Sequence, residues 1–510
     1  MTTRWWIPSS AIAVAAFFAL VALPRPAIPL IDGDVFWHIR AGEEILDTGS
    51  VPRVDTWSIV GAGKEWTSQD WLSNVVLAVG YRMGEIGPTL LSLVWALLVV
   101  VALAVLWSAI GRRNPQTGWL SRIIWLGAGL TVAGPTLGVR VQVVDLVLSA
   151  CTIWVLWTFM ARRRPAVLLL LPALAVAFAN LHAGWPLLFL LGVAVLVGEA
   201  ADRLLRRRLD TEPLALAQLG WLLLALIAAA VVIPLNPNGI DLYRYPIETS
   251  SIAAHRDFIS EWQPPDPGTF IGQVLIGFVI VGVVPTILLA WRRMRLADAL
   301  ILVGLTVMAA NAARFLLVAG PIPAAVITLY LAPIISRSRF GQRVAPFLAR
   351  MATPRRSRLF STINLMLVAL MVLAGLAVTA ARISPTAQRQ ATAEHMPVSA
   401  VDWILANNPG QRPFNQYSWG GYLGLRRPDA PIFIDGRSDV YGNAPIQEYA
   451  SVVRATTDPA PFLDRYQIQY VLFPSTGQFA ERMDASSGWI RAYSDPIAAV
   501  WVRADAPLGQ

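Results

Sequence analysis

Apolar runs recur along the chain and are broken by short polar turns. Windows of about 20 apolar residues, enough to cross a bilayer, fall near 7–24, 88–110, 119–138, 141–160, 165–181, 184–201, 215–235, 271–291, 297–315, 318–336 and 360–382. The pattern predicts a polytopic α-helical membrane protein with about 11 transmembrane helices, the hairpins 119–160 and 165–201 having the shortest turns. Two polar stretches differ from these turns. In 25–87, Trp37, Trp57, Trp66 and Trp71 supply apolar mass that a disordered loop lacks. There Val35, Ile39, Gly42, Ile45 and Leu46 fall near one helical face, with Arg40, Glu43, Glu44 and Asp47 elsewhere, so 35–46 is expected as an amphipathic helix on the membrane surface and 71–81 as a second one.

After 383 the runs shorten and Pro, Gly and Asp return. The expected elements are a helix over 398–406, ended by Asn407-Asn408-Pro409-Gly410, and short buried strands at 432–434 and 470–473. The expected division is a membrane module over 1–382, including the first external loop 25–87, and a small external α/β domain over 383–510, a size that can hold its own core.

Composition and charge orient this layout. The chain is 55% hydrophobic and 14% charged, against about 25% charged in soluble domains. Arg112-Arg113, Arg162-Arg163-Arg164, Arg206-Arg207-Arg208, Arg292-Arg293 and the stretch from Arg337 through Arg355-Arg356 to Arg358 fall on one side of the predicted topology. That side is cytoplasmic, because short inner loops are enriched in Arg and Lys. The net charge of +9 follows from this bias and implies no nucleic-acid partner. Segment 7–24, preceded by Arg4, has no small-x-small cleavage site before Pro24 and Pro26 and is expected as a retained first span. The single cysteine, Cys151, excludes an intramolecular disulfide. Walker, dinucleotide and Gly-x-Ser-x-Gly signatures are absent, as is Cys/His metal spacing, which argues against a nucleoside-triphosphate-driven pump.

The polar residues that do not fit this bias gather on the outer side. Asp32 and Asp34 follow the first span; either can cap a helix or take a proton from a substrate nucleophile. His38 is four residues after Asp34 and expected either to pair with it across one turn or to be a satisfied interfacial residue beside Trp37, while His182 stands beside Asn180 between two apolar runs. Arg140, Arg314 and Lys64, the chain's one lysine, are the candidate phosphate binders; for the two arginines the ordinary alternative is snorkelling to lipid headgroups. Glu261 and Trp262 complete the set.

Together with Asp32-Gly33-Asp34, the runs Asp34-Val35-Phe36-Trp37-His38, Asn180-Leu181-His182, Asn236-Pro237-Asn238-Gly239, Glu261-Trp262, the tail stretch 414–423 and Ile434-Asp435-Gly436-Arg437 resemble a bacterial branch of the GT-C superfamily of polyprenyl-phosphate-dependent membrane glycosyltransferases. The tail stretch is also distantly similar to the oligosaccharyltransferase catalytic subunit, although Tyr417-Ser418-Trp419-Gly420-Gly421-Tyr422 lacks the aspartate of that family's Trp-Trp-Asp-Tyr-Gly motif. The resemblance implies transfer of a sugar from a polyprenyl-phosphate donor to an acceptor hydroxyl at the outer face of the bacterial cytoplasmic membrane. Asp34, or else Asp32, would be the base, with His38 and His182 in the catalytic set and Arg140, Arg314 and Lys64 at the donor phosphate. Asn180, Glu261, Trp262, Tyr417, Trp419, Tyr422, Asp435 and Arg437 would contact sugar or acceptor, which is an envelope glycan, lipid or protein. No cofactor is certain; by analogy with oligosaccharyltransferases, Mg or Mn could sit between Asp34 and Glu261. The alternatives are a lipid-linked glycan transporter or flippase, or a ligase-like enzyme using a pyrophosphate-linked donor; a non-catalytic scaffold is a third.

Overall fold

The computed structural model describes residues 6–354, 357–454 and 456–505; Arg4, Arg355 and Arg356, used above to orient the chain, lie outside them. Each apolar window contains helix, and the chain is an integral membrane protein, largely helical. Among the described residues four helices are long and apolar enough to span a membrane: Gly84–Arg113, Val143–Arg162, Phe270–Ala290 and Arg358–Arg382. The bent pair Ala313–Ala319 and Pro321–Arg337 makes a fifth if counted as one span. Other windows hold shorter apolar helices, such as Ser10–Ala22, Trp119–Val132 and Leu216–Val231. Here the apolar run outlasts the helix, because Gly134-Pro135 and Pro165 turn the chain into short 3-10 segments.

The first surface helix, Gly33–Thr48, is two residues longer at each end than its apolar pattern predicts. Asp32, rather than Asp34, is its N-cap: the Asp32 carboxylate accepts the Asp34 backbone N–H at 2.9 Å, which leaves the Asp34 side chain in the first turn. The helix does not lie bare on a membrane surface. Its apolar face packs against the second loop helix, Trp71–Tyr81, and against Gly420–Arg426 of the tail, and Val35, Phe36, Trp37, Ile39, Ala41 and Ile45 are all buried. Gly42 permits the close approach of the loop helix, since a Cβ there would stand 1.9 Å from the Asn74 carbonyl oxygen.

The tail folds around a mixed sheet of β1 (Pro413–Asn415), β2 (Tyr470–Pro474), β3 (Trp489–Ser494) and β4 (Ala498–Arg503), in the order β1-β2-β4-β3. β1 pairs parallel with β2, and the other pairs are antiparallel. The 470–473 run becomes β2, whereas 432–434 is buried but stays outside the sheet. Instead Ile432 forms a parallel bridge with Ser58 of the first loop, through Ile432 N–H to Trp57 O at 2.9 Å and Ile59 N–H to Ile432 O at 2.8 Å. The first loop thus satisfies backbone groups that the tail sheet leaves open. The helix expected at 398–406 is Val398–Asn407, stopped by Asn408 in the left-handed region.

A buried ion cluster sits at this junction. The Arg437 guanidinium donates to Asp55 at 2.8 Å and to Asp435 at 2.9 Å, all three side chains being inaccessible to solvent. Trp57 and Trp66 flank it with ring centroids 4.4 and 4.6 Å from the guanidinium carbon, and the Tyr441 hydroxyl donates to Asp435 at 2.6 Å. Removing one partner of such a group strands a desolvated charge. Arg437→Met is therefore expected to cost about 3–5 kcal/mol, read as a lowered unfolding midpoint and as faster proteolysis between the tail and the membrane helices; a midpoint within error of the parent would refute this.

Candidate active site

The junction between loop and tail forms one wall of a cavity of about 620 Å³. Three glycines let the wall close. A Cβ at Gly33 would stand 1.9 Å from the Ser418 carbonyl oxygen, at Gly421 2.6 Å from the Gly33 oxygen, and at Gly436 1.8 Å from Asp34 Oδ1. The Asp-Gly-Asp turn and the Asp-Gly-Arg turn therefore meet through their glycines, and Asp34 is pressed against the backbone of Gly436.

Asp34 is half-buried and lines the cavity. Burial is the main cause that pushes its carboxyl well above the usual carboxylate range; Asp32 and Glu261 add to it, while Arg140 and the polar edge of the nearby Trp37 indole oppose it. Arg140, in the turn before the span Val143–Arg162, forms ion pairs with both Asp32 and Glu261. Burial disfavours its charge, but Asp32, Glu261 and Asp34 outweigh this and hold the guanidinium protonated above its ordinary range. The cluster has three carboxylates to one guanidinium.

His182, at the end of the helix Leu170–Leu181, also lines the cavity. Its Nδ1 lies 2.7 Å from Asp145 Oδ2, close because the backbone of Gly184 abuts that carboxylate: a Cβ there would be 2.1 Å from Asp145 Oδ1. Burial works against the imidazolium, yet Asp145 raises the His182 pKa on balance. His38 does not pair with Asp34 across the helix turn as expected. The second loop helix offers closer partners, Asn74 Oδ1 at 2.7 Å and Asp70 Oδ2 at 3.2 Å, and burial lowers the His38 pKa. Arg314 lines the cavity with its guanidinium 4.2 Å from the Trp262 ring centroid. Burial first, and then the Arg314 charge, push His255 beside it down to about 4.

Of the residues singled out from the sequence, Asp32, Asp34, His38, His182, Arg140, Arg314, Glu261, Trp262 and Tyr417 line this one cavity. The others lie elsewhere. Asn180 accepts from the Trp71 indole at 2.9 Å and donates to Leu235 O at 2.9 Å, tying two helix ends together. The Trp419 indole donates to His395 O at 3.2 Å, and Tyr422 packs edge-on against Phe36. Asp435 and Arg437 belong to the buried ion cluster, and Lys64 donates to the Tyr441 carbonyl at 2.9 Å. These five side chains and Lys64 hold the wall rather than face the hollow. Asp70, Asp145, Tyr245 and Asp439 also line the cavity and were not foreseen. Burial, with Asp70 adding to it, pushes Asp439 up to about 6. Asp145 had a legible signal, an acid inside an apolar window; Asp439 had none beyond lying two residues after Arg437.

The donor set does not match a metal cage. Arg140 already engages Asp32 and Glu261, and among the described residues no group of three or more His, Cys, Asp or Glu side chains converges on one point. The cation within this acidic cluster is a guanidinium.

The fold is similar to that of solved structures at low sequence identity. The Archaeoglobus fulgidus oligosaccharyltransferase in its apo form is similar with a TM-score of 0.55 at 14% identity, over 98% of this chain and 75% of that one. ArnT from Cupriavidus metallidurans gives TM-scores of 0.48 bound to undecaprenyl phosphate and 0.47 in the apo state, at 15% and 16% identity, over 98% and 97% of this chain and 98% and 96% of theirs. No family model matches the sequence, and no curated protein matches it significantly.

Two titrations test these electrostatics without a substrate. A protonated-carboxyl infrared band absent from Asp34→Asn is expected to persist above the usual carboxylate range and to vanish at lower pH in Glu261→Gln, since removing that negative charge eases ionisation of Asp34. A band that ignores position 261 would contradict the arrangement. The ¹⁵N signal of His182 is expected to lose its proton at lower pH in Asp145→Asn, because the carboxylate that supports the imidazolium is gone; an unchanged titration would count against the pair.

Proposed function

We propose that the chain is a membrane glycosyltransferase that moves a sugar from a polyprenyl-phosphate-linked donor to an acceptor hydroxyl. The observation that carries the reading is that Asp34, His182 and Arg314, from three distant parts of the sequence, border one cavity. The GT-C fold and the resemblance of the Asp-Gly-Asp loop support the donor class. In this reading the shorter apolar helices cross as well, giving about eleven crossings, with the arginine-rich turns in the cytoplasm and the tail outside a bacterial inner membrane.

The reaction needs three things from the site. The acceptor oxygen attacks the anomeric carbon and its proton passes to Asp34, as the bond from that carbon to the phosphate oxygen breaks. Burial beside Asp32 and Glu261 raises the pKa of Asp34, so once it has lost its own proton its carboxylate is a stronger base than an ordinary one. The departing phosphate gains charge, which a preorganised guanidinium stabilises. Arg314 suits that role better than Arg140, because Arg140 is already paired with Asp32 and Glu261. Direct displacement inverts the anomeric centre.

The test is mass spectrometry of envelope glycans and glycoproteins in a deletion strain complemented with variants. Asp34→Asn keeps the shape of the side chain and removes the base, so the sugar lost on deletion is expected to stay lost, with transfer down by at least about 10²-fold at normal protein levels. Full restoration by Asp34→Asn would eliminate it as the base. A lipid-linked precursor trapped at the inner leaflet of the deletion strain would instead make the chain a flippase.

A further inference from the structure

Away from the Asp34 cavity, a second hollow of about 330 Å³ is bordered by Arg25, Arg382, Gly134, Val132, Phe270 and Ile271, among others, and by no acidic residue. Its position in the fold is specific. Arg25 follows the apolar helix Ser10–Ala22, Val132 ends Trp119–Val132, Phe270 opens the span Phe270–Ala290 and Arg382 ends the span Arg358–Arg382. Four apolar helices reach their limit around one hollow, so it lies where the apolar layer of the membrane gives way to headgroups. It is on the side that carries the tail, since the tail continues directly from Arg382.

The two kinds of wall call for an amphiphile. Phe270 is 72% and Ile271 36% exposed, with no protein cover at a depth where acyl chains pass. The Arg25 guanidinium rests on the backbone of Gly134, its Nη2 3.0 Å from where a Cβ would stand. Among the described residues Arg382 donates only to the Ala27 carbonyl, through Nε at 3.5 Å. Neither arginine forms an ion pair among the described residues. Two like charges facing one hollow at the edge of a low-dielectric layer repel each other, and one phosphate between them removes that repulsion while accepting from both guanidinium forks. Arginines that only snorkel would reach outward to bulk headgroups; these two border a common hollow with an apolar side.

We propose that this hollow is a binding site for an anionic glycerophospholipid, its phosphate between Arg25 and Arg382 and its acyl chains along Phe270 and Ile271. The site is independent of sugar transfer and shares no residue with the Asp34 cavity.

Native mass spectrometry of the full chain in mild detergent, titrated with phosphatidylglycerol, tests the proposal. The parent is expected to retain one tightly held lipid, and Arg25→Gln/Arg382→Gln to need about tenfold more lipid for equal occupancy, the loss of charge-assisted contacts to one phosphate. Phosphatidylglycerol should raise the unfolding temperature of the parent and not of the double variant, while equal midpoints without lipid show that the variant is folded. Equal retention by both proteins would overturn the proposal, as would equal retention of diacylglycerol, which has no phosphate. Retention of a polyprenyl phosphate with exclusion of phosphatidylglycerol would overturn it too, and assign the hollow to the carrier instead.

Discussion

A guanidinium removed from water is costly unless its hydrogen bonds and its charge are both met, and Arg437 is wholly removed. Its partners come from both sides of the junction: Asp435 and Tyr441 from the tail, Asp55, Trp57 and Trp66 from the first loop. Neither segment can bury its share of this cluster alone without stranding a charge, so loop and tail must fold onto one another together. The position of Gly436 follows, because it sits between the two residues whose side chains form the ion pair within the tail. Once Arg437 is seated, the backbone one residue earlier is pressed against Asp34. A contact with no access to the cavity thereby fixes the carboxylate that has most access to chemistry.

The charge pattern inside the cavity follows from this enclosure. Asp34 loses its water on one side to Gly436, and among the described residues gains no ion pair of its own in return, since Arg140 pairs with Asp32 and Glu261. Its carboxyl is therefore held towards the neutral form by burial and by the two neighbouring acids, with only the more distant pull of Arg140 and the Trp37 indole against them. His182 is in the reverse situation. One carboxylate, Asp145, is dedicated to it and favours the charged imidazole despite burial. The cavity thus sets a carboxyl inclined to keep a proton against an imidazole inclined to keep one, with Arg314 stacked on Trp262 nearby.

How much of this could be read from the sequence depended on the range of the interaction. Helical periodicity placed Gly33–Thr48, Trp71–Tyr81 and Val398–Asn407 nearly to the residue, since local spacing determines which face of a helix is apolar. The same spacing could not tell a face turned to lipid from one turned to protein, and so Gly33–Thr48 was expected on a membrane surface when it is covered by the tail. Apolar windows located the helices but overstated the length of some, such as Trp119–Val132, because an apolar run continues through Gly134-Pro135 while a helix does not. Topology grouped the candidate polar residues as a set, and nine of them border one cavity. It could not divide that set, because Arg437 and Arg314 look alike in sequence, and only the fold seals one between Trp57 and Trp66 and leaves the other beside a hollow. His38 shows the same limit: Asp34 is its neighbour along the helix, but Asn74 and Asp70 are its neighbours in space.

The opposite end of the bundle supplies the comparison that gives the cavity its meaning. There Glu199 accepts from Arg295 at 2.7 Å and from the Leu214 N–H at 2.8 Å, Asp202 accepts from Arg207 and from the Leu296 N–H at 3.0 Å each, and Asp298 accepts from Arg113 at 3.3 Å. Those three carboxylates are fully buried, each has a guanidinium of its own, and none borders the large cavity. Helix ends and turns are locked there, and none of these three buried carboxylates is left without a cation. At the cavity end, by contrast, Asp32, Asp34 and Glu261 share one guanidinium, Arg314 has no carboxylate partner among the described residues, and the space between them is open. Both ends contain buried ionic groups, which by themselves are weak evidence of function. The difference is that at one end each buried carboxylate has its own guanidinium, and at the other the excess acid and the unmatched cation face the same volume.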